Sequence, residues 1–103
     1  MTRANLTAWG VVQGVGFRWT VSDTAQSLGL SGLVRNLRDG SVQIFLDGSR
    51  EKILEFIKVI KVHKGVLDYL HPRVSEVHVV FEDDVEFQEP WRSYSGFEID
   101  SSY

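Results

Sequence analysis

The stretch "GLVRNLRDGSVQIFLD", Gly32 to Asp47, decides the fold. Two apolar runs, Gly32 to Leu37 and Ser41 to Asp47, flank Arg38-Asp39-Gly40. An Asp-Gly pair between such runs is a strong hairpin signal, because both residues tolerate the backbone angles of a tight turn. Within the second run Val42, Ile44 and Leu46 fall on alternate positions, so one face of that strand is apolar.

Working outward from the hairpin, each side carries a helix and then a strand. Upstream, Val21, Ala25 and Leu28 recur at spacings of four and three until Gly29, a C-terminal cap, and predict a helix. Before it, Leu6, Ala8, Gly10 and Val12 alternate with Asn5, Thr7, Trp9 and Val11, predicting a strand over Asn5 to Val12. Downstream, Ser49 caps a second helix with an apolar stripe of Ile53, Phe56, Ile57 and Ile60, Lys61 and Lys64 near its end, and Gly65 beyond. Arg73 to Phe81 alternates as a fourth strand, the acidic loop "EDDVEFQEPWRSYS" follows, and Gly96 to Asp100 makes a short last strand. The order β-α-β-β-α-β, built of two right-handed crossovers joined by a hairpin, predicts an α+β ferredoxin-like sandwich. Its antiparallel sheet would carry two helices on one face and a short extra C-terminal strand. Residues 1–103 are read as a single domain.

Composition limits the function classes. With 43% apolar and 24% charged residues and two prolines, the chain is globular rather than disordered. The absence of cysteine removes disulfides, thiolate metal sites and a cysteine nucleophile. "MTRANLTAWG" lacks the apolar core of a signal peptide, and no segment approaches the ~20 apolar residues of a membrane span. The expectation is a cytoplasmic protein with no membrane partner. A formal charge of -3 argues against nucleic acid as the partner.

The chemistry centres on "GVVQGVGFRWT", Gly10 to Thr20, at the first strand-to-helix junction. A dinucleotide fingerprint fails, since the third glycine position after Gly14 and Gly16 is Trp19. A P-loop fails because no Gly-Lys-Ser/Thr follows. Against the RNA-binding sheet motif, Gly14, Gly16 and Phe17 fit while Gln13, Val15, Arg18 and Thr20 do not. Two readings stay level on physics alone. One is a tight turn that needs glycine only for its conformation. The other is an anion site, in which loop N–H groups at the positive end of a helix dipole act beside the planar fork of Arg18.

A second motif adds to this. "GVVQGVGFR", Gly10 to Arg18, followed by "LGLSGLVRNLRDGSV", Leu28 to Val42, resembles the acylphosphatase signature, a Gly-x-Val-Gln-Gly-Val-x-Phe-Arg loop and then Gly-Leu-x-Gly-x-Val-x-Asn with an Asp-Gly hairpin. The resemblance is close through the first half and in outline through the second. It implies hydrolysis of an acyl phosphate to a carboxylate and inorganic phosphate, by water attack on phosphorus with no metal, cofactor or covalent intermediate. It implies that the loop amides of Gln13, Gly14, Val15, Gly16, Phe17 and Arg18 hold the phosphoryl oxygens, that the Arg18 side chain binds the same group, and that Asn36 places the water. Leu33 stands where the family often has Trp, "GVLDYLHPRVSEV" replaces a stretch with Gly-Pro, and the acidic loop is longer.

The remaining polar residues carry less. His63, His71 and His78 lack paired ligand spacing, and Glu82, Asp83, Asp84, Glu86 and Glu89 lack the calcium-loop pattern, so no metal is expected and the acids are read as a solvated loop. Arg35 and Arg38 are read as solvated hairpin charges, Trp9, Trp19 and Trp91 as core or rim, with Trp19 bordering the acyl part of a substrate. The expected protein is a monomer. Two alternatives accompany it: a non-catalytic module binding an anion or RNA on the same fold, and a domain handling carbamoyl phosphate, as in the much longer hydrogenase-maturation proteins.

Overall fold

The computed structural model of the chain describes residues 1–13, 16–61 and 73–100. In chain order these form β1 (Thr2–Val11), α1 (Phe17–Ser27), β2 (Ser31–Asn36), β3 (Val42–Gly48), α2 (Arg50–Lys61), β4 (Arg73–Phe81) and β5 (Phe97–Ile99). The expected β-α-β-β-α-β order with a terminal strand is present. β1 starts at Thr2 rather than Asn5, because Thr2, Arg3 and Ala4 find partners at Gly48, Asp47 and Leu46. The expected end of the second helix, at Lys64 and Gly65, lies outside the described residues.

The strands lie in the order β4-β1-β3-β2-β5. The first four are antiparallel neighbours, but β5 runs parallel to β2, so the sheet is mixed rather than wholly antiparallel. The reason is the path of the chain. Residues 82–96 leave β4 at one edge, cross the sheet and turn once at the far edge, so β5 must point opposite to β4. β1, β2 and β5 therefore all deliver their C-terminal ends to the same end of the sheet.

Helix α1 packs over β2 and β5, and α2 over β3 and β4. Between helices and sheet lie Ala4, Leu6 and Ala8 of β1, Val34 of β2, Val42, Ile44 and Leu46 of β3, Phe17, Val21 and Ala25 of α1, and Ile53, Phe56 and Ile60 of α2. Each large side chain buried here contributes about 1.5–3 kcal/mol relative to exposure. The helix ends follow their sequence signals. Ser49 Oγ accepts the amide N–H of Lys52 at 3.1 Å. Past α1, Leu30 N–H reaches Ala25 O at 2.9 Å and Gly29 N–H reaches Gln26 O at 3.0 Å, the paired bonds that stop a helix at a glycine. Gly32 is required sterically, since a Cβ at its φ of +145° would stand 1.8 Å from Phe45 O.

The opposite face carries its own small core. Leu33 and Phe45, cross-strand partners, are both fully buried there. Residues 82–95 form a strap over them, with Phe87 and Tyr94 rings each centred 5.9 Å from the Phe45 ring. The acids of this loop are exposed, as expected, but the strap is also tied down: Arg3 pairs with Glu82 at 3.0 Å and Glu89 at 2.7 Å, and Tyr94 donates its hydroxyl to Asp47 at 2.6 Å. Burial, aided by that bond, pushes the Tyr94 phenol up to about 12. A polar ladder runs beside these, from Arg35 to Gln43 Oε1, from Gln43 Nε2 to Asn5, and from Asn5 to Gln88 O. Arg35 also lies 4.2 Å over the Trp91 ring, so it is a docked cation rather than a solvated one.

Candidate active site

Alternation along β2 puts Gly32, Val34 and Asn36 on the helix face. Asn36, the last residue of the strand, is 7% exposed and so projects from the end of the sheet toward the start of α1. On the neighbouring route, β1 runs out at Val11, and the chain passes through residues 12–16 into α1. Gln13 does not face the cavity. Its Nε2 donates to Leu37 O at 2.7 Å and Ser41 O at 2.8 Å, so the side chain staples the loop to the hairpin that carries Asn36. Gly14 and Val15 lie outside the described residues.

Gly16 is the N-cap of α1, with φ +77° and ψ 17°, and a Cβ there would meet nothing within 4 Å. Its requirement is therefore conformational, since side-chain-bearing residues rarely take this left-handed angle. It accepts the N–H of Thr20 at 3.1 Å, the first turn of the helix. No side chain caps this end and no acidic residue stands in the first turn. Among the described residues, then, no capping side chain or first-turn carboxylate offsets the positive pole of this 11-residue helix. Phe17, only 2% exposed, anchors the turn by burying its ring in the core.

Arg18 follows, half-buried, and its Nη1 donates to Asp100 O at 2.6 Å. That bond uses one of five guanidinium donors and fixes the side chain against the end of β5. Asp100 is in turn held from the strap: Trp91 Nε1 donates to Asp100 Oδ2 at 2.7 Å, and Arg92, which also bonds Glu98 at 2.6 Å, pairs with Asp100 Oδ1. The Arg92 guanidinium, helped by Trp91, holds the Asp100 carboxyl below the usual carboxylate range. The sequence reading missed Trp91, Arg92 and Asp100 as supports of Arg18. Nothing local marks them, because they lie more than seventy positions from the arginine they serve.

Val12, Gly16, Phe17, Arg18, Trp19, Asn36 and Ile99 line one cavity of about 250 Å³ at this end of the sheet. It brings together four of the expected residues, Gly16, Phe17, Arg18 and Asn36, from two separate motifs. Trp19 is at its rim and 67% exposed, so it is not core. A larger groove of about 640 Å³ lies under the strap, among Asn5, Thr7, Gln43, His78 and Glu86. It offers no Arg or Lys and one carboxylate, a poor match for a dianion. Chemistry selects the smaller cavity. Of the histidines, His78 is exposed on β4, while His63 and His71 lie outside the described residues.

Comparison with known proteins agrees with this geometry. The acylphosphatase family model matches residues 4–99. An acylphosphatase from Thermococcus kodakarensis is 38% identical over 97 residues, covering 94% of this chain and 93% of the relative. The crystal structure of acylphosphatase from Bacillus subtilis superposes with a TM-score of 0.77 at 27% identity, covering 97% of this chain and 99% of that one. HypF of T. kodakarensis is also similar, with a TM-score of 0.74 and 28% identity over all of this chain but 12% of that much longer one. A match spanning nearly the whole sequence, a shared fold and both signature motifs together place this chain in the acylphosphatase family.

Proposed function

We propose that the protein hydrolyses acyl phosphates to a carboxylate and inorganic phosphate. The observation that carries this reading is the convergence of Arg18, Asn36 and the uncapped start of α1 on one cavity. An acyl phosphate is a mixed anhydride whose leaving group, a carboxylate, is already stable near neutral pH, so its departure requires no general acid. Phosphoryl transfer passes through a loose transition state with charge on the equatorial oxygens, and catalysis is then positioning and electrostatic stabilisation.

The placements of Gly16, Phe17, Arg18 and Asn36 around one cavity support the following roles. The amides of residues 13–18 hold the phosphoryl oxygens, and the Arg18 guanidinium, steadied through Asp100 O, takes two more contacts. Asn36 is neutral and not a strong base, but its carboxamide both accepts and donates, which suits it to hold a water in line with the bond to be broken. Water oxygen forms a bond to phosphorus, the bond from phosphorus to the acyl oxygen breaks, the carboxylate leaves with that electron pair, and the water proton passes to a phosphoryl oxygen. No covalent phosphoenzyme forms. In the same reading residues 1–103 act as a single domain and as a cytoplasmic monomer, without metal, cofactor or nucleic acid.

The test is phosphate release from acetyl phosphate, insensitive to chelators and competitively inhibited by inorganic phosphate, with monomer mass checked by sedimentation. Asn36→Ala is expected to keep phosphate binding and lose at least about 10² in turnover, and Arg18→Ala to lose both, by analogy with single oxyanion donors. Wild-type turnover in Asn36→Ala would refute the role of the asparagine. Carbamoyl phosphate belongs in the same assay, as the test of the alternative reading. Salt-sensitive RNA retention without hydrolysis would instead identify a binding module.

A further inference from the structure

The groove of about 640 Å³ under the strap lies on the opposite face of the sheet from α1 and α2, and nothing in the phosphoryl chemistry uses it. Its floor is a row across three strands. Gln43 of β3, Thr7 of β1 and His78 of β4 are direct cross-strand partners, so they point to one face at a spacing of about 4.8 Å. The polar ladder fixes two of the lining groups. Gln43 Nε2 spends one hydrogen on Asn5 Oδ1 and Asn5 Nδ2 spends one on Gln88 O, both at 3.2 Å, which orients each amide and leaves each nitrogen a second hydrogen to donate. Asn5 is only 9% exposed, so its remaining donor is costly to leave unpaired. Among the described residues, the Thr7 hydroxyl, the His78 imidazole and the Glu86 carboxylate have no hydrogen-bond partner. Val85, on the strap side of the groove, is 97% exposed and therefore adds almost nothing to the folded state.

We propose that this groove binds a neutral polyhydroxyl ring, a monosaccharide unit in chemical terms, at a site separate from the cavity of Arg18 and Asn36. The inference goes beyond the hydrolytic reading and does not depend on it. Ring hydroxyls both donate and accept, and the groove offers both kinds of partner: amide hydrogens from Asn5 and Gln43, an acceptor on Glu86, and groups of either sense on Thr7 and His78. The C–H faces of such a ring need apolar cover, which Val80, Val85 and the half-buried Phe87 ring supply. Other ligand classes fit less well. Among the described lining residues there is no Arg or Lys and one carboxylate, so an anion meets repulsion and no counter-charge. A wholly apolar ligand would cover the Asn5 and Gln43 donors without pairing them.

The experiment is chemical-shift mapping on isotope-labelled protein titrated with glucose, maltose and glucuronate. Glucose and maltose are expected to give saturable shifts at the side-chain amides of Asn5 and Gln43 and the backbone amides of residues 85–88, with Kd on the order of millimolar. The signals of Gly16, Phe17, Arg18 and Asn36 should stay in place. Glucuronate, a sugar acid, should bind about fivefold more weakly than glucose, and Glu86→Gln should bring the two within about twofold of each other. Thr7→Val keeps the shape of the side chain and removes its hydroxyl, and should weaken glucose about fivefold while phosphate release from acetyl phosphate stays at the wild-type rate. Glu86 is exposed, so its variant keeps the test decisive if Thr7→Val fails to fold. Shifts that stay linear with sugar concentration, that are missing from Asn5 and Gln43, or that fall on Arg18 and Asn36 would overturn the proposal. Equal affinity for glucose and glucuronate in the wild type would do the same.

Discussion

On the helix side of the sheet, Leu6, Ile44, Leu46 and Val34 meet Phe17, Val21, Ile53 and Phe56 in a cluster with no titratable member. On the strap side Leu33 and Phe45 are fully buried, and what seals them is a frame of polar bonds: Arg3 to Glu82 and Glu89, Tyr94 to Asp47, Arg35 to Gln43. The first layer is held by area removed from water, which is non-directional and large. The second is held by directional bonds at partly exposed groups, each of which contributes little alone. The comparison teaches how the site is divided. Asn36 and the start of α1 belong to the helix side, while Arg18 is steadied by a strand that the strap delivers. On the roles proposed for Arg18 and Asn36, binding and water placement would then fail separately.

The largest expected effect tests the helix side. Phe56→Ala should cost about 3–5 kcal/mol of unfolding free energy in denaturant titrations, whereas Phe87→Ala, at the half-buried ring of the strap, should cost about 1–2 kcal/mol. Equal losses would erase the distinction between the two layers. Next comes the link between strap and arginine. Asp100→Asn removes the charge that Arg92 and Trp91 hold but keeps the shape of the side chain, and should weaken inhibition by inorganic phosphate about tenfold with a smaller change in kcat. A drop in kcat alone would show that β5 does not act through Arg18.

The smallest effect is a pH dependence centred on the strap face. Asp100, Glu98 and Glu82 are held below the ordinary carboxylate range by Arg92 and Arg3. A carboxyl whose folded pKa is depressed lends stability above its unfolded value, about 4, and loses it as pH falls through the folded value. Near-UV circular dichroism of the strap aromatics should therefore change below about pH 4 before the far-UV signal does. Arg92→Met should reduce that early change. Coincident loss of both signals would mean the strap and the helix layer melt as one unit.

Much of this was legible in the sequence. Asp39-Gly40 between two apolar runs marked the hairpin, the 3.6-residue spacing of Val21, Ala25 and Leu28 marked α1, and Ser49 and Gly29 marked helix ends, because these signals act over a few residues. Two spaced motifs also picked out Gly16, Phe17, Arg18 and Asn36, which the structure gathers around one cavity. The sequence could not say that β5 would lie parallel to β2, that Gln13 would bond the hairpin instead of facing the cavity, or that Arg35 would dock on Trp91. Nor could it show that Trp91 and Arg92 steady Arg18 through Asp100. Local backbone preference and apolar periodicity are written in neighbouring residues, so the chain alone determined its elements and its helix-side core. Hydrogen bonds between residues far apart in the chain, such as Arg18 to Asp100 O or Arg3 to Glu89, depend on where the strap lands, and only the assembled tertiary structure decided that.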